Sequence, residues 1–241
     1  MRPCVADVNN DGIADIINAN YGANGLFLGA RDGTFRDVST SWGFGVEGRH
    51  DTCAPADIDH DGRMDVYVNG TVSGTESFRD YLFAQSGGRF VDVTPSNVLA
   101  LNASHGVAWG DVDGDGALDL ALASSRADTP HSLLRNVLPP EKARRSLQVR
   151  VVDGDGRATR AGSEVRVFAA GSSRLLATRW VDAGSGYNAQ SDMPVHFGLA
   201  GVGPVDVEVI VPSRGARVRT MVRGIRPADY AGRWLTVRTG R

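Results

Sequence analysis

The sequence predicts an all-β chain: a partial β-propeller of about three four-stranded blades, followed by a small β-barrel or sandwich domain. Three observations carry this prediction. A nine-residue acidic loop recurs at 7–15, 57–65 and 111–119, so the periods are 50 and 54 residues, the spacing of stacked sheet units such as propeller blades. Short apolar strand-like runs flank every copy. From residue 146 onward apolar and polar residues alternate with period two, the mark of half-buried strands.

Each repeat follows one plan. A first strand enters the loop at Cys4-Val5-Ala6, Ala54-Pro55-Ala56 and Gly106-Val107-Ala108-Trp109. A second leaves it at 14–18, 65–68 and 118–122. A third follows at 25–28, 80–84 and 131–135. After a Gly turn a fourth is expected at 32–38 and 87–94, which completes a four-stranded blade. The third repeat stops early, at Pro139-Pro140 and the polar run 141–145. The expected division is therefore blades over 1–136, a linker over 137–145 and a second β domain over 146–241. Three blades do not close a ring, because propellers use about four to eight. The expectation is that the chain is the C-terminal part of a longer protein, with further blades of the parent chain missing here. In the second domain, strands are expected at 147–151, 163–168, 205–211 and 234–238. Asp153-Gly154-Asp155-Gly156 starts like a fourth loop but has Ala161 at its ninth position, so it reads as a hairpin turn.

The loops carry the chemistry. Side-chain oxygens at positions 1, 3 and 5 converge when a Gly at position 6 allows a sharp turn. The carbonyl of position 7 then points inward, and an Asp at position 9 closes the cage. Several hard oxygen ligands suit Ca²⁺ better than Mg²⁺. Crowded carboxylates also repel one another without a cation. The expected ligand sets are Asp7, Asn9, Asp11, Asp15 and the Ile13 carbonyl; Asp57, Asp59, Asp61, Asp65 and the Arg63 carbonyl; and Asp111, Asp113, Asp115, Asp119 and the Ala117 carbonyl. Up to three Ca²⁺ are implied. An EF-hand would need a Glu at position 12 and flanking helices; here that position is Asn18, Val68 and Leu122. The bland alternative is a turn that binds nothing, and three in-phase copies weigh against it.

Charge is distributed accordingly. Residues 1–140 hold 19 acidic and 9 basic residues, and residues 141–241 hold 9 acidic and 17 basic ones. Eleven of the N-terminal acids are expected ligands. The C-terminal Arg residues are scattered among apolar ones, as in Arg217-Val218-Arg219, which reads as the wet face of a strand, and no nucleic-acid partner is expected. No run of about 18 apolar residues occurs, so no membrane insertion is expected. Residues 1–6 contain no apolar h-region, so no signal peptide is expected in this chain. Cys4 and Cys53 lie on equivalent strands of neighbouring blades. The expected reading is two small buried hydrophobes, with a disulfide left open.

No catalytic residues are expected. His50, His60, His105, His131 and His196 are dispersed. His60, at position 4 of its loop, is expected to face solvent, and His196 to be a hydrogen-bonded structural residue. Ser104-His105 and Ser185-Gly186-Tyr187 lack a nucleophile elbow.

The repeats resemble the FG-GAP/VCBS repeats of integrin-like β-propellers, on the three loops and on Gly-Ala-Asn-Gly-Leu-Phe-Leu-Gly-Ala-Arg-Asp-Gly-Thr-Phe-Arg-Asp-Val at 22–38. The C-terminal part resembles the ASPIC/UnbV domain through Gly162-Ser163-Glu164-Val165-Arg166-Val167, Gly184-Ser185-Gly186-Tyr187, Val195-His196-Phe197-Gly198-Leu199 and Val211-Pro212-Ser213-Arg214-Gly215. The last departs from the usual Trp-Pro-Ser-Gly by a Val and an inserted Arg. The order looks like that of the cartilage acidic protein 1 family. The resemblance implies an extracellular, secreted or cell-surface protein with Ca²⁺-stabilised blades. The function expected is a non-enzymatic module for adhesion or for binding a protein or glycan surface. The alternative is an accessory enzyme or scaffold of bacterial secondary metabolism, since bacterial members include proteins encoded beside natural-product pathways.

Overall fold

The computed structural model describes residues 3–99, 101, 104–124, 130–158, 160–184, 189–191, 194–201, 203–213 and 216–240. Ser185, Gly186, Tyr187, Arg214 and Gly215, which carry part of the family resemblance, lie outside the described residues. The chain is almost all β. The first sheet comprises β1 (Pro3–Ala6), β2 (Asp15–Asn18), β4 (Gly25–Gly29) and β5 (Phe35–Asp37) in the order β1-β2-β4-β5, while the short β3 (Tyr21–Ala23) leaves it. The second sheet comprises β6 (Glu47–Ala56), β7 (Asp65–Gly70), β10 (Tyr81–Gln85) and β11 (Phe90–Asp92). A small hairpin of β8 (Val72–Ser73) and β9 (Glu76–Ser77) interrupts it. A one-turn helix, α1 (Ser96–Leu99), precedes the third sheet of β12 (Ser104–Gly110), β13 (Asp119–Ser124) and β14 (Ser132–Leu134).

The strand plan read from the repeats is present, with β3, the β8–β9 hairpin and α1 added to it. β3 pairs with the long β6, Tyr21 opposite Arg49, so the second sheet has five strands and the first blade is tied to it through the backbone. Each acidic loop closes an antiparallel hairpin. The last paired residues are Ala6 and Asp15, Ala56 and Asp65, and Gly110 and Asp119. The ninth loop position is thus the first residue of the outgoing strand every time.

The hydrophobic cores lie between blades. Strand side chains alternate across the sheet, and the middle blade buries both faces. Cys53, Val66, Val68 and Phe83 join the first blade's Cys4, Ile17 and Leu26. Ala54, Tyr67 and Leu82 face the third blade's Val107, Trp109 and Leu120. All six residues of β7 are buried for that reason. The blade contact also carries a buried polar cluster. Asp80, fully buried, accepts the Tyr67 hydroxyl at 2.8 Å and the Gly70 N–H at 2.6 Å, and it also accepts the Ser104 hydroxyl.

The expected linker is docked. It contains α2 (Pro140–Ala143), whose Ala143 is buried. Pro140 at its first turn suits a missing N–H donor. Beyond it two sheets share one core: β18 (Val195–Gly198), β15 (Ser146–Val152) and β21 (Leu235–Arg238) in one, and β17 (Leu175–Trp180), β16 (Glu164–Ala169), β19 (Val205–Ser213) and β20 (Ala216–Ile225) in the other. This is a sandwich. Asp153-Gly154-Asp155-Gly156 forms a turn closed by the Asp153 N–H on the Arg157 carbonyl at 2.9 Å. It does not join paired strands, however, because β15 pairs with β18 and, in parallel, with β21. Arg217, Arg219 and Arg223 on β20 pair with Glu164, Glu208 and Asp206 of the same sheet. Among the described residues no helix is long and apolar enough to cross a membrane.

Cys4 and Cys53 form a disulfide, with Cα atoms 6.0 Å apart, which answers the pairing that the sequence leaves open. The reason is the blade contact: β1 packs directly on β6, so equivalent strands do meet here. Closing a 49-residue separation removes unfolded-state entropy equivalent to about 4 kcal/mol in the chain-entropy account. Cys4→Ala/Cys53→Ala protein should therefore unfold at lower denaturant, by about 2–4 kcal/mol. Unchanged midpoints with and without reductant would show that the bond does not form in solution.

Candidate metal centres

The three loops fold alike for a local reason. Positions 4 and 6 adopt left-handed backbone, at Asn10 and Gly12 (φ 58° and 83°), His60 and Gly62 (56° and 87°), and Gly114 and Gly116 (73° and 97°). Such angles favour Gly, with Asn and His the tolerated exceptions. The turn then aims backbone N–H groups at the carboxylates. The position-1 Asp accepts the position-6 N–H at 2.9 Å in loop 1 and at 3.0 Å in loops 2 and 3. Position 3 accepts the position-5 N–H at 3.1 Å from Asn9 and 3.2 Å from Asp59 and Asp113. Position 5 accepts the N–H of Ile13, Arg63 or Ala117 at 2.8–2.9 Å.

The oxygens at positions 1, 3 and 5 meet. One carboxylate oxygen from each of Asp57, Asp59 and Asp61 lies within 4.8 Å of the others, and the same holds for Asp111, Asp113 and Asp115. Loop 1 has Asn9 at the third position between Asp7 and Asp11. The donor set fits a hard divalent cation, and Asp111 Oδ1 is buried with no hydrogen-bond partner.

Position 9 also holds the turn. Asp15 accepts the Val8 N–H at 2.8 Å and the Gly29 N–H at 2.9 Å. Asp65 accepts those of Ile58 and Gln85 at 3.0 and 2.8 Å. Asp119 accepts those of Val112 and Asn136 at 3.1 and 2.8 Å. Both of its oxygens therefore hold backbone, one N–H from the loop and one from the end of the third strand.

Burial raises the acids above the ordinary carboxylate range. It pushes Asp15 and Asp57 to about 6 and Asp65 to about 7. Asp7, Asp61 and Asp111 are also raised, for the same first cause. The chain answers part of this charge itself. Arg63 pairs with Asp61, Lys142 Nζ lies 3.2 Å from Asp59, and Arg135 Nε lies 2.6 Å from Asp113. None of these partners was visible as such in the repeat.

The sandwich sits on the loops. Arg179 on β17 is buried, and its charge interacts with Asp57, Asp7 and Asp65. Gln148 Nε2 donates to Asp111 at 2.7 Å. Gly198 passes so close that a Cβ there would meet Asp57 Oδ2 at 2.1 Å. His60 is 1 % exposed, against the expectation of a solvent-facing side chain. Its Nδ1 is 3.0 Å from the Lys142 carbonyl and its ring lies 4.9 Å from that of His196. The expectation failed because the outer face of loop 2 is an interface. His196 is buried as a hydrogen-bonded residue, Nε2 2.9 Å from the Gly116 carbonyl, and burial lowers it to about 3.

Two further arrangements escaped the sequence. His105 Nδ1 lies 3.0 Å from Asp51 and its Nε2 3.2 Å from the Thr71 hydroxyl. Thr71 is only 2 % exposed, which seals that hydroxyl from substrate. A cavity of about 490 Å³ also opens where the first strands of the blades meet the sandwich. Its walls include Trp109, Arg179, Trp180, Asp182 and His196.

Comparison with known proteins agrees with this anatomy. Residues 7–68, spanning the first two loops, match the FG-GAP-like repeat, and residues 154–226 match the ASPIC and UnbV family. The chain is 28 % identical to cartilage acidic protein 1 of Xenopus tropicalis over 239 residues, 91 % of this chain and 35 % of that protein. It is 28 % identical to the Homo sapiens protein over 237 residues, 91 % of this chain and 34 % of the relative. For the Mus musculus protein the identity is 29 % over 225 residues, 86 % of this chain and 33 % of the relative. The chain spans about a third of the length of these curated relatives. The chain is thus similar to the FG-GAP-like repeat over 7–68, to the ASPIC and UnbV family over 154–226, and to cartilage acidic protein 1 along nearly all of its length.

Proposed function

We propose that the chain is a non-enzymatic, calcium-binding module of an extracellular or cell-surface protein, used for adhesion or for binding a protein or glycan surface. The observation that carries it is the convergence of the carboxylates of Asp57, Asp59 and Asp61, and of Asp111, Asp113 and Asp115, within 4.8 Å. Asp7, Asn9 and Asp11 would form the equivalent set in loop 1. The Ile13, Arg63 and Ala117 carbonyls and the position-9 acids, Asp15, Asp65 and Asp119, complete the proposed ligands. The ion would supply charge neutralisation, and the chain would supply the preset oxygens. The similarity to cartilage acidic protein 1 supports the extracellular placement.

The division at 1–136, 137–145 and 146–241 belongs to the same proposal. It is supported by the separate core of the C-terminal sandwich. Further blades are proposed to pack on the outward faces, where Val5 is 56 % and Leu133 60 % exposed.

One observation favours the enzymatic reading: a cavity that contains both His196 and Asp182. A histidine held near 3 is a poor general base at neutral pH, and that reading ranks second.

Calcium that binds only the folded state stabilises it by about 2.7 kcal/mol at a hundredfold excess over Kd, or about 5–10 °C per site in a chain of this size. Calorimetric melting in chelator and in millimolar Ca²⁺ should show that rise, and an unchanged melting temperature would reject the proposal. Asp113 is exposed, so Asp113→Ala should remove one site's share of the rise while barely changing the metal-free melting temperature.

The metal-free protein should also depend on pH in a defined direction. Asp15, Asp57 and Asp65 titrate higher when folded than when unfolded, so the folded state binds more protons between about pH 4 and 7. In chelator, these acids should stabilise the fold as pH falls from 8 to about 5, while buried His50, His60 and His196, which burial makes harder to protonate, oppose them over the same window. Asp65→Asn against the parent chain isolates the acid contribution: the variant should gain less stability on acidification, and an identical pH dependence would contradict the buried, metal-free carboxylate.

A further inference from the structure

The sandwich ends in a long bare edge. β20 is the last strand of its sheet, and among the described residues no backbone hydrogen bond joins it to any strand but β19. It runs for 10 residues, whereas strands usually have about five or six. Edge strands are ordinarily kept short, because their open N–H and C=O groups pair with other chains.

The register with β19 sorts the side chains of this edge onto two faces. Arg217, Arg219, Met221 and Arg223 share the outer face, where the arginines pair with Glu164, Glu208 and Asp206. Val218, Thr220 and Val222 alternate onto the core side; Val222 packs against the core, and Val218 is 38 % exposed. The arginine side chains are open to solvent, at 65 %, 60 % and 72 % exposed for Arg217, Arg219 and Arg223. Each gives one N–H to its acid among the described residues, and a guanidinium carries five. Arg166 also pairs with Glu164. Four guanidinium groups thus stand over three carboxylates, and the face keeps a positive excess.

These features select the occupant. The β20 strand of a second copy would set arginines against arginines, and like charges across a strand pair are destabilising. A sulfated polysaccharide would use the arginines but neither the backbone edge nor Val218. An extended peptide uses all three. Its backbone continues the sheet, its carboxylates meet the planar guanidinium forks, and its apolar residues cover the core side at the same period of two.

We infer that β20 is a docking edge for an extended segment of a partner protein in which acidic and apolar residues alternate. The inference rests on the reading of the chain as an interaction module and names the chemistry of its partner.

The test is a titration of a fluorescein-labelled peptide of about eight residues, Glu and Val in alternation to match the strand pitch, with the full chain. Anisotropy should saturate with a Kd of about 100 µM, and binding should weaken as salt is raised. Bound peptide should slow amide hydrogen exchange along 216–223. Arg217→Gln leaves Glu164 paired with Arg166, and it should weaken binding about threefold at unchanged melting temperature. Arg217→Gln/Arg219→Gln should weaken it about tenfold. No saturation by about 2 mM chain, well above that Kd, would overturn the proposal. So would equal binding by a backbone N-methylated peptide, which keeps the charge but loses the donors, or unchanged affinity in the double variant. Saturation by heparin with no binding of the peptide would overturn it in favour of a polysaccharide. The calcium-induced rise in melting temperature is read without peptide, so failure of one does not imply failure of the other.

Discussion

The fold depends on one repeated contact: an aspartate at the ninth loop position with both oxygens bound to backbone N–H groups. Asp15, Asp65 and Asp119 each reach back to the second residue of their own loop and across to the end of the third strand. Three strands and a turn are thereby fixed by one side chain. Charge-assisted bonds of this kind are stronger than neutral ones, and they satisfy N–H groups that a tight turn would otherwise leave open. The cost is a buried carboxylate, visible in the raised titration of Asp15 and Asp65. The acids at positions 1, 3 and 5 are then crowded against an end that already holds charge.

That crowding explains where the sandwich docks. Its approach to the loops is polar and close. Arg179 is buried among the acids of loops 1 and 2, Gln148 reaches Asp111, and the backbone at Gly198 lies against Asp57. Ala200 N–H donates to the His60 carbonyl at 3.0 Å and adds a backbone bond between sandwich and blade. Covering the loops removes water from them, and in lower dielectric every charge there interacts more strongly. The same burial that penalises the bare carboxylates would strengthen their hold on a cation.

The sequence makes the local chemistry legible and the long-range chemistry obscure. The 50-residue spacing, the Asp-Gly turns and the short apolar runs specify blades because each acts within about ten residues. Position 6 is Gly in every loop for the same reason, and Asn10, His60 and Gly114 at position 4 carry a matching signal of left-handed backbone. Arg179, by contrast, stands in an ordinary alternating strand, and nothing beside it announces three acids more than a hundred residues away. The disulfide was hidden because its formation depends on β1 and β6 lying against one another. The exposure of His60 was misjudged because its loop face is an interface, and the pairing of β3 with β6 needs the neighbouring blade. The parallel contact of β15 with β21 joins strands about 85 residues apart, which no local pattern encodes.

Three copies of one motif therefore occupy three electrostatic settings. Loop 1 exchanges one carboxylate for Asn9 and lies near Arg179. Loop 2 keeps all its acids but is met by Arg63, Lys142 and Arg179, and its Asp59 and Asp61 are half-buried where Asn9 and Asp11 of loop 1 are exposed. Loop 3 faces Arg135 from its own blade and Gln148 from the sandwich, with Asp113 open to solvent. A cation at loop 1 would meet less negative charge than one at loop 3, and one at loop 2 would meet more burial. Repetition in the sequence fixes the geometry of the oxygens, whereas the charges that decide how strongly they hold an ion come from elsewhere in the chain.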